Sequence, residues 1–174
     1  MTAIESALVV LVPEAERLVK DFRDRYDPSA TAGVPAHITL LYPFKRPDQI
    51  GREDLNRLGS CAASVSSFAF ILATIRRFPN ALYLAPEPDE PFRHLTAEIW
   101  RRYPETPPYG GKYPAIVPHL TVAQLAGETQ LNLVAAELSR ASENKLPIAA
   151  RANEMALLDT TSGRWEVRAT FKLD

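Results

Sequence analysis

The chain is short of several things, and each shortage closes a class of reading. It has one cysteine, Cys61, in 174 residues. No internal disulfide can form, so the stapled framework of a small secreted domain is excluded. Cys61 stands in Gly59-Ser60-Cys61-Ala62-Ala63, a small-residue stretch that reads as a closely packed helix face carrying a buried, inert thiol. Excess charge of either sign is also missing: 20 Lys and Arg stand against 21 Asp and Glu. No global positive field can therefore hold long nucleic acid by counterion release, although a site-sized cluster would suffice for a nucleic-acid end or a small nucleotide. Long apolar runs are absent too. Ala7–Val12 is too short to span a membrane or to form a secretory core, has no Lys or Arg before it, and runs into Pro13-Glu14. It predicts a strand, and the expected protein is cytoplasmic, neither exported nor membrane-bound. The length suits one domain, or two small lobes sharing a core.

Histidine is scarce as well, with three in the chain. Two of them occupy near-identical β-type tetrapeptides, His37-Ile38-Thr39-Leu40 and His119-Leu120-Thr121-Val122, each approached through a Val-Pro step at Val34-Pro35 or Val117-Pro118. Side chains two apart on a strand share a face. Each tetrapeptide therefore presents an imidazole and a hydroxyl on one surface, while the aliphatic residues between them anchor the strand from behind. Two such strands facing each other offer two proton-transfer groups and two hydroxyl donors around one small anion.

A third copy, His94-Leu95-Thr96-Ala97, shows that the bare pattern can arise by chance. Residues 91–102 carry helical periodicity, with Phe92, Leu95 and Ile99 on one stripe. His94 falls opposite, beside Glu98 and Arg101, so His94 and Thr96 diverge and cannot share a ligand.

Elsewhere the pattern predicts a helix opening at Pro13 and ending at Tyr26-Asp27-Pro28, a small-residue loop over 28–36, and a strand over His37–Tyr42. A helix follows over Glu53–Val65, then a hairpin of Phe68–Ile75 and Ala81–Leu84 around Pro79-Asn80. Asp89 is expected to cap a helix opening at Pro91. A loop rich in Pro, Gly and Tyr (Pro104 to Pro118) leads into the strand His119–Gln124; with Gly110-Gly111 as a hinge it suggests a lid. A helix over Thr129–Ser142, strands over Pro147–Ala152 and Met155–Asp159, and a last strand over Trp165–Leu173 complete the chain. The two halves share one order of elements, as an internal duplication would leave them.

The strings His37-Ile38-Thr39-Leu40-Leu41-Tyr42-Pro43-Phe44 and Pro118-His119-Leu120-Thr121-Val122-Ala123 resemble the paired His-x-Thr-x signatures of the two-histidine (2H) phosphoesterases. That superfamily includes 2′-5′ RNA ligase-like proteins and cyclic nucleotide phosphodiesterases, and the likeness in order of elements covers nearly the whole chain. It implies an α+β fold over residues 1–174, a single bilobal domain of two pseudo-symmetric lobes. Each lobe is an antiparallel sheet with outer helices, and the two half-repeats contribute the His37 and His119 motifs to a central cleft. One departure stands out, because many members place Arg or Lys shortly after the second motif where this chain has Gln124. Lys45, Arg46, Arg77, Lys112 and Arg151 are candidates to replace that charge. Tyr42, Phe44 and Tyr113 could stack on a base, since aromatic faces accept any nucleobase; with Lys45 and Lys112 they form the candidate substrate-binding set.

The implied chemistry is cleavage of a 2′,3′-cyclic phosphate or a 2′,5′-phosphodiester, on an RNA end or a small nucleotide, by in-line attack at phosphorus. Histidine, with an ordinary pKa near 6.5, can serve as base on the incoming oxygen and acid on the departing one. Thr39 and Thr121 hold the non-bridging oxygens. No metal and no cofactor is needed, and a monomer is the expected state. Running the site backwards gives 2′-5′ ligation. Binding a nucleotide or RNA end without turnover is a further alternative. A zinc or iron site fits less well, because threonine is a poor ligand and no Asp or Glu accompanies either motif.

Overall fold

The computed structural model describes residues 3–174. Among these residues eight strands and five α-helices follow one another: β1 (Ser6–Leu11), α1 (Glu16–Tyr26), α2 (Pro28–Thr31), β2 (His37–Leu41), α3 (Arg52–Ala62), β3 (Phe68–Phe78), β4 (Ala81–Glu87), α4 (Glu90–Arg102), β5 (Leu120–Gln124), α5 (Glu128–Ser142), β6 (Ile148–Ala152), β7 (Glu154–Asp159) and β8 (Glu166–Lys172). The strands form two four-stranded sheets, ordered β2-β1-β7-β8 and β5-β4-β3-β6, and every pairing is antiparallel. The expected α+β architecture of two antiparallel sheets with helices is the one observed.

The two motif strands, β2 and β5, are the first strand of each sheet. They lie next to each other without being paired in one sheet, so the motifs meet where the sheets meet. Each sheet has one face on the core: Leu8, Val10, Ile38, Leu40, Met155 and Leu157 in the first, Phe70, Leu72, Leu82, Leu84, Leu120 and Val122 in the second. Helices cover these faces in a crossed manner. α1 leaves the first sheet and packs on β5, and α4 leaves the second and packs on β2. Each motif strand is thereby backed by a helix that begins in the other lobe. Thr96 makes the crossing specific, its buried hydroxyl donating to the Leu40 carbonyl at 2.9 Å. His94 is exposed on the far side of α4, as helical phase predicts.

Three expectations need correction. Within the loop expected over 28–36, the chain makes one helical turn, because the Asp27 carboxylate accepts the Ser29 N–H at 3.0 Å and caps it. Asp89 makes no side-chain cap; its carboxylate pairs with Arg93 one turn on. The strands expected over Pro147–Ala152 and Met155–Asp159 are neighbours in sequence but not in space. β6 pairs with β3, whereas β7 crosses to the other sheet and pairs with β1 and β8. The first sheet is thus built from both ends of the chain, and the lobes are not its two halves.

Candidate active site

The burial pattern of β2 is that of a half-buried strand: Ile38 and Leu40 are buried, His37 and Thr39 partly exposed. In β5, Leu120 and Val122 are buried and Thr121 is partly exposed. Burying such an aliphatic side chain contributes about 1.5–3 kcal/mol, which holds each strand's phase and turns both His-x-Thr pairs away from the core.

Both imidazoles are oriented in the same way. His37 Nδ1 lies 2.8 Å from the Pro35 carbonyl oxygen, and His119 Nδ1 lies 2.7 Å from that of Val117. A carbonyl can only accept, so Nδ1 must carry the hydrogen. The neutral ring then has its lone pair on Nε2, and the protonated ring has a donor there. The backbone carbonyl two residues before each histidine, Pro35's in one copy and Val117's in the other, therefore selects the tautomer. Burial pushes His37 down to about 4, against the opposing pull of the Pro35 carbonyl, with the Arg23 charge and the His119 imidazole adding to the depression. Burial also lowers His119, opposed by its bond to Val117. His119 is near enough for its charge to act on His37.

The approach to His37 is rigid. Arg23 and Asp27, both 2% exposed, pair at 3.0 Å. The same guanidinium donates to the Ser29 hydroxyl and the Val34 carbonyl, each at 3.1 Å. Glu16 accepts the Ala36 N–H at 2.7 Å, and the Val12 N–H donates to the Ala36 carbonyl at 2.8 Å. Gly33 turns the loop with φ +108°, and a β-carbon there would stand 2.9 Å from the Trp165 carbonyl oxygen, so glycine is required.

His119 rests on an aromatic pair. Phe78 and Tyr83 stack at 4.4 Å, and the imidazole meets both edge-on, at 5.1 and 5.6 Å. Tyr83 stands directly opposite Thr121 across the β4–β5 pairing, and Arg76 stands opposite Tyr83 across β3–β4. Directly opposed residues share a face, so Thr121, Tyr83 and Arg76 form a row that crosses the sheet on the site's side. The matching face of the first sheet is apolar, with Val9 opposite Thr39 in a cluster with Val34, Ala156 and Leu158, flanked by Leu11, Tyr42 and Trp165.

Two hydroxyls and two imidazoles with free Nε2 atoms thus stand on two adjoining strands, groups that can exchange protons and donate hydrogen bonds. Among the described residues, no group of three or more His, Cys, Asp or Glu is gathered to hold a metal ion. Residues 11–164 match the family model of the 2′-5′ RNA ligase superfamily. The chain belongs to that superfamily. A Bacillus cereus protein whose name carries the word phosphoesterase is 30% identical over 128 residues, 67% of each chain; another, from strain ATCC 10987, is 28% identical over 95% of each. Among solved structures, Escherichia coli LigT complexed with 3′-AMP shares the fold at TM-score 0.61 and 15% identity over 97% of each chain. TT0787 of Thermus thermophilus does so at 0.58 and 16%, again over 97% of each. Fold and relatives together make this an enzyme of the 2H phosphoesterase type. No described helix is long and apolar enough to cross a membrane.

Within this superfamily member the other expected binding residues scatter. Phe44 is 7% exposed and packs edge-on against Tyr103 at 4.9 Å, which places it in the core and removes it as a stacking surface. Lys45 is likewise withdrawn, its ammonium held by Asp54 at 2.8 Å. Arg46 pairs with Asp48 at 2.8 Å, Arg77 donates to Asn132 of α5 at 2.9 Å, and Arg151 to the Ser67 hydroxyl at 2.9 Å. Tyr42 flanks the apolar face and donates to Glu5 at 3.1 Å. Lys112 and Tyr113 stand together on the 104–118 loop, Tyr113 exposed and 5.7 Å from Tyr109. Gln124 is exposed at the end of β5, opposite Ala81. Tyr109 went unnoticed in the sequence. Its backbone N–H donates to the Tyr42 carbonyl at 2.6 Å, it takes φ 52°, and the Thr39 hydroxyl beside it partly offsets the rise that burial imposes on its phenol. A side chain other than glycine in that conformation, docked on the end of a motif strand, is a local strain retained at the site.

Proposed function

We propose that the protein is a metal-independent phosphodiesterase that opens 2′,3′-cyclic phosphates or cleaves 2′,5′-phosphodiesters on small nucleotides or RNA ends, with His37 and His119 as general base and general acid. The observation that carries this reading is the matched tautomer of the two imidazoles, each presenting Nε2 on one of two adjoining strands. In-line displacement needs a base on the entering oxygen and an acid on the leaving one, on opposite sides of phosphorus. That the two motif strands come from two different sheets and lie next to each other supports this reading. His37, whose imidazolium is held down to about 4, is the base: its Nε2 takes the proton of the attacking water. His119 is the acid, and the anionic phosphate favours its protonated form, so the proton it needs is stabilised when substrate enters. Thr39 and Thr121 donate to the non-bridging oxygens and hold the charge that develops there.

Replacing either histidine by alanine is expected to lower turnover of a 2′,3′-cyclic nucleotide by about 10²–10⁴-fold, with metal chelation leaving the wild type unchanged. The pH profile is expected to be bell-shaped. Its alkaline limb should lie higher in kcat than in kcat/KM, because bound phosphate raises the acid's pKa above its value in the free enzyme. Product analysis with cyclic nucleotides and 2′,5′-linked dinucleotides decides the matter, and full activity in the double histidine variant overturns it. Since every joining site is a cleaving site in reverse, 2′-5′ ligation is the second reading, favoured by the superfamily match over residues 11–164.

A further inference from the structure

Two strands from Thr121, on the site's side of the second sheet, stands a further cation, Arg76. Arg76 and Arg77 are adjacent on β3, and pleating sends them to opposite faces. Arg77 goes to the helix side and meets Asn132. Arg76 goes to the site's side, in the row Thr121–Tyr83–Arg76, and is exposed. Ten ion pairs form among the described residues, and Arg76 enters none of them. Arg76 lines a cavity of about 230 Å³ together with Tyr83, Glu87, Asp89, Val117 and Pro118, so one wall of the cavity is the tyrosine that supports His119 and another is the segment that orients it. Two carboxylates also line the cavity: Asp89 is paired with Arg93, and Glu87 accepts from the Thr74 hydroxyl at 3.2 Å and keeps its charge.

We propose that this cavity is a second anion subsite, in which Arg76 binds a phosphate of the substrate other than the one that reacts. Two strand spacings separate Arg76 from Thr121, about 10 Å between backbones. That offset suits a ligand carrying a second phosphate one nucleoside away from the one that reacts. Arginine is the side chain that holds such a group bidentately. The substrate class narrows to nucleotides bearing two separated phosphates. The 5′-phosphate of a mononucleotide and the next phosphodiester of an RNA end share that chemistry.

The inference rests on the nucleotide reading above, and a binding measurement separates the two. Calorimetry of wild type and Arg76→Ala with adenosine 3′-phosphate and adenosine 3′,5′-bisphosphate is expected to show the wild type preferring the bisphosphate by about tenfold or more, the worth of one charge-assisted contact. Arg76→Ala should erase that preference and leave the monophosphate unchanged. Arg77→Ala serves as the control for charge alone and should keep the preference. A dinucleotide ending in a 3′-phosphate distinguishes the sources: a preference for it that Arg76→Ala also removes assigns the subsite to RNA ends, and its absence assigns it to mononucleotides. Equal loss on both adenosine ligands makes Arg76 a partner of the reacting phosphate and overturns the proposal, as does a wild type without preference. If the bisphosphate preference is present but no cyclic or 2′,5′ substrate is turned over, the subsite stands and the catalytic reading falls.

Discussion

The depression of His37 has a consequence for stability as well as for chemistry. The folded protein protonates this ring near 4, while the unfolded chain does so near 6.5. Between those values the unfolded state binds more protons, so stability rises with pH across the window. The contribution is complete above about 6.5 and is lost as pH falls toward 4. Denaturant titrations of wild type and His37→Asn are expected to show a flatter pH dependence in the variant over that range, and equal slopes would assign the titration to another group. The histidine–threonine pairs were legible in the sequence because period-two alternation between aliphatic anchors leaves a strand little choice of face. Arg76 was not. Arg76 and Arg77 are equivalent in composition, and a register shift between Leu72 and Thr74 decides which of them faces the site. Phe44 and Lys45 were misread for a related reason: β2 ends at Leu41, and past that point alternation no longer says where side chains go.

At the level of elements, the segment between α1 and β2 works as a splint. Arg23 and Asp27 belong to the turn that ends α1, yet the Arg23 guanidinium, paired with Asp27, reaches the Val34 carbonyl, one residue before the Pro35 carbonyl that selects the His37 tautomer. Removing one partner of a buried pair costs about 3–5 kcal/mol. Arg23→Ala is therefore expected to lower the melting temperature markedly and to reduce kcat more than KM, because the imidazole loses its direction rather than its place. Recovery of the folded fraction at low temperature without recovery of kcat is the measurement that shows this; an unchanged kcat would mean that the splint only stabilises. Helical phase was readable here, and it correctly set His94 aside. The buried arginine was not, since nothing in its neighbourhood distinguishes Arg23 from the solvated Arg17 or Arg25 until the loop folds back over it.

For the whole molecule, the decisive fact is that each motif strand depends on segments distant in sequence. β2 is backed by α4, β5 by α1, and β1 pairs with β7, as in Ser6 with Asp159. Neither lobe can lose its structure while the other keeps a working motif. Thermal unfolding followed by aromatic fluorescence and by far-ultraviolet dichroism is expected to give one coincident transition, and two separated transitions would show that the lobes unfold independently. An expectation drawn from local order of elements could recover every strand but not this exchange, because assigning β6 and β7 to different sheets depends on pairings made more than 70 residues apart, such as Phe68 with Ala152 and Ser6 with Asp159.

The exchange also sets a timetable for the growing polypeptide. The second sheet has all its strands once residue 152 is free, so the His119 side of the site can assemble early. The first sheet lacks β7 until residue 159 and β8 until residue 172, and its longest-range pairings are the slowest kind to form. His37 lies on β2, in the sheet that gains β8 after its other strands. During synthesis the two motif strands therefore belong to sheets whose strands are completed at different times.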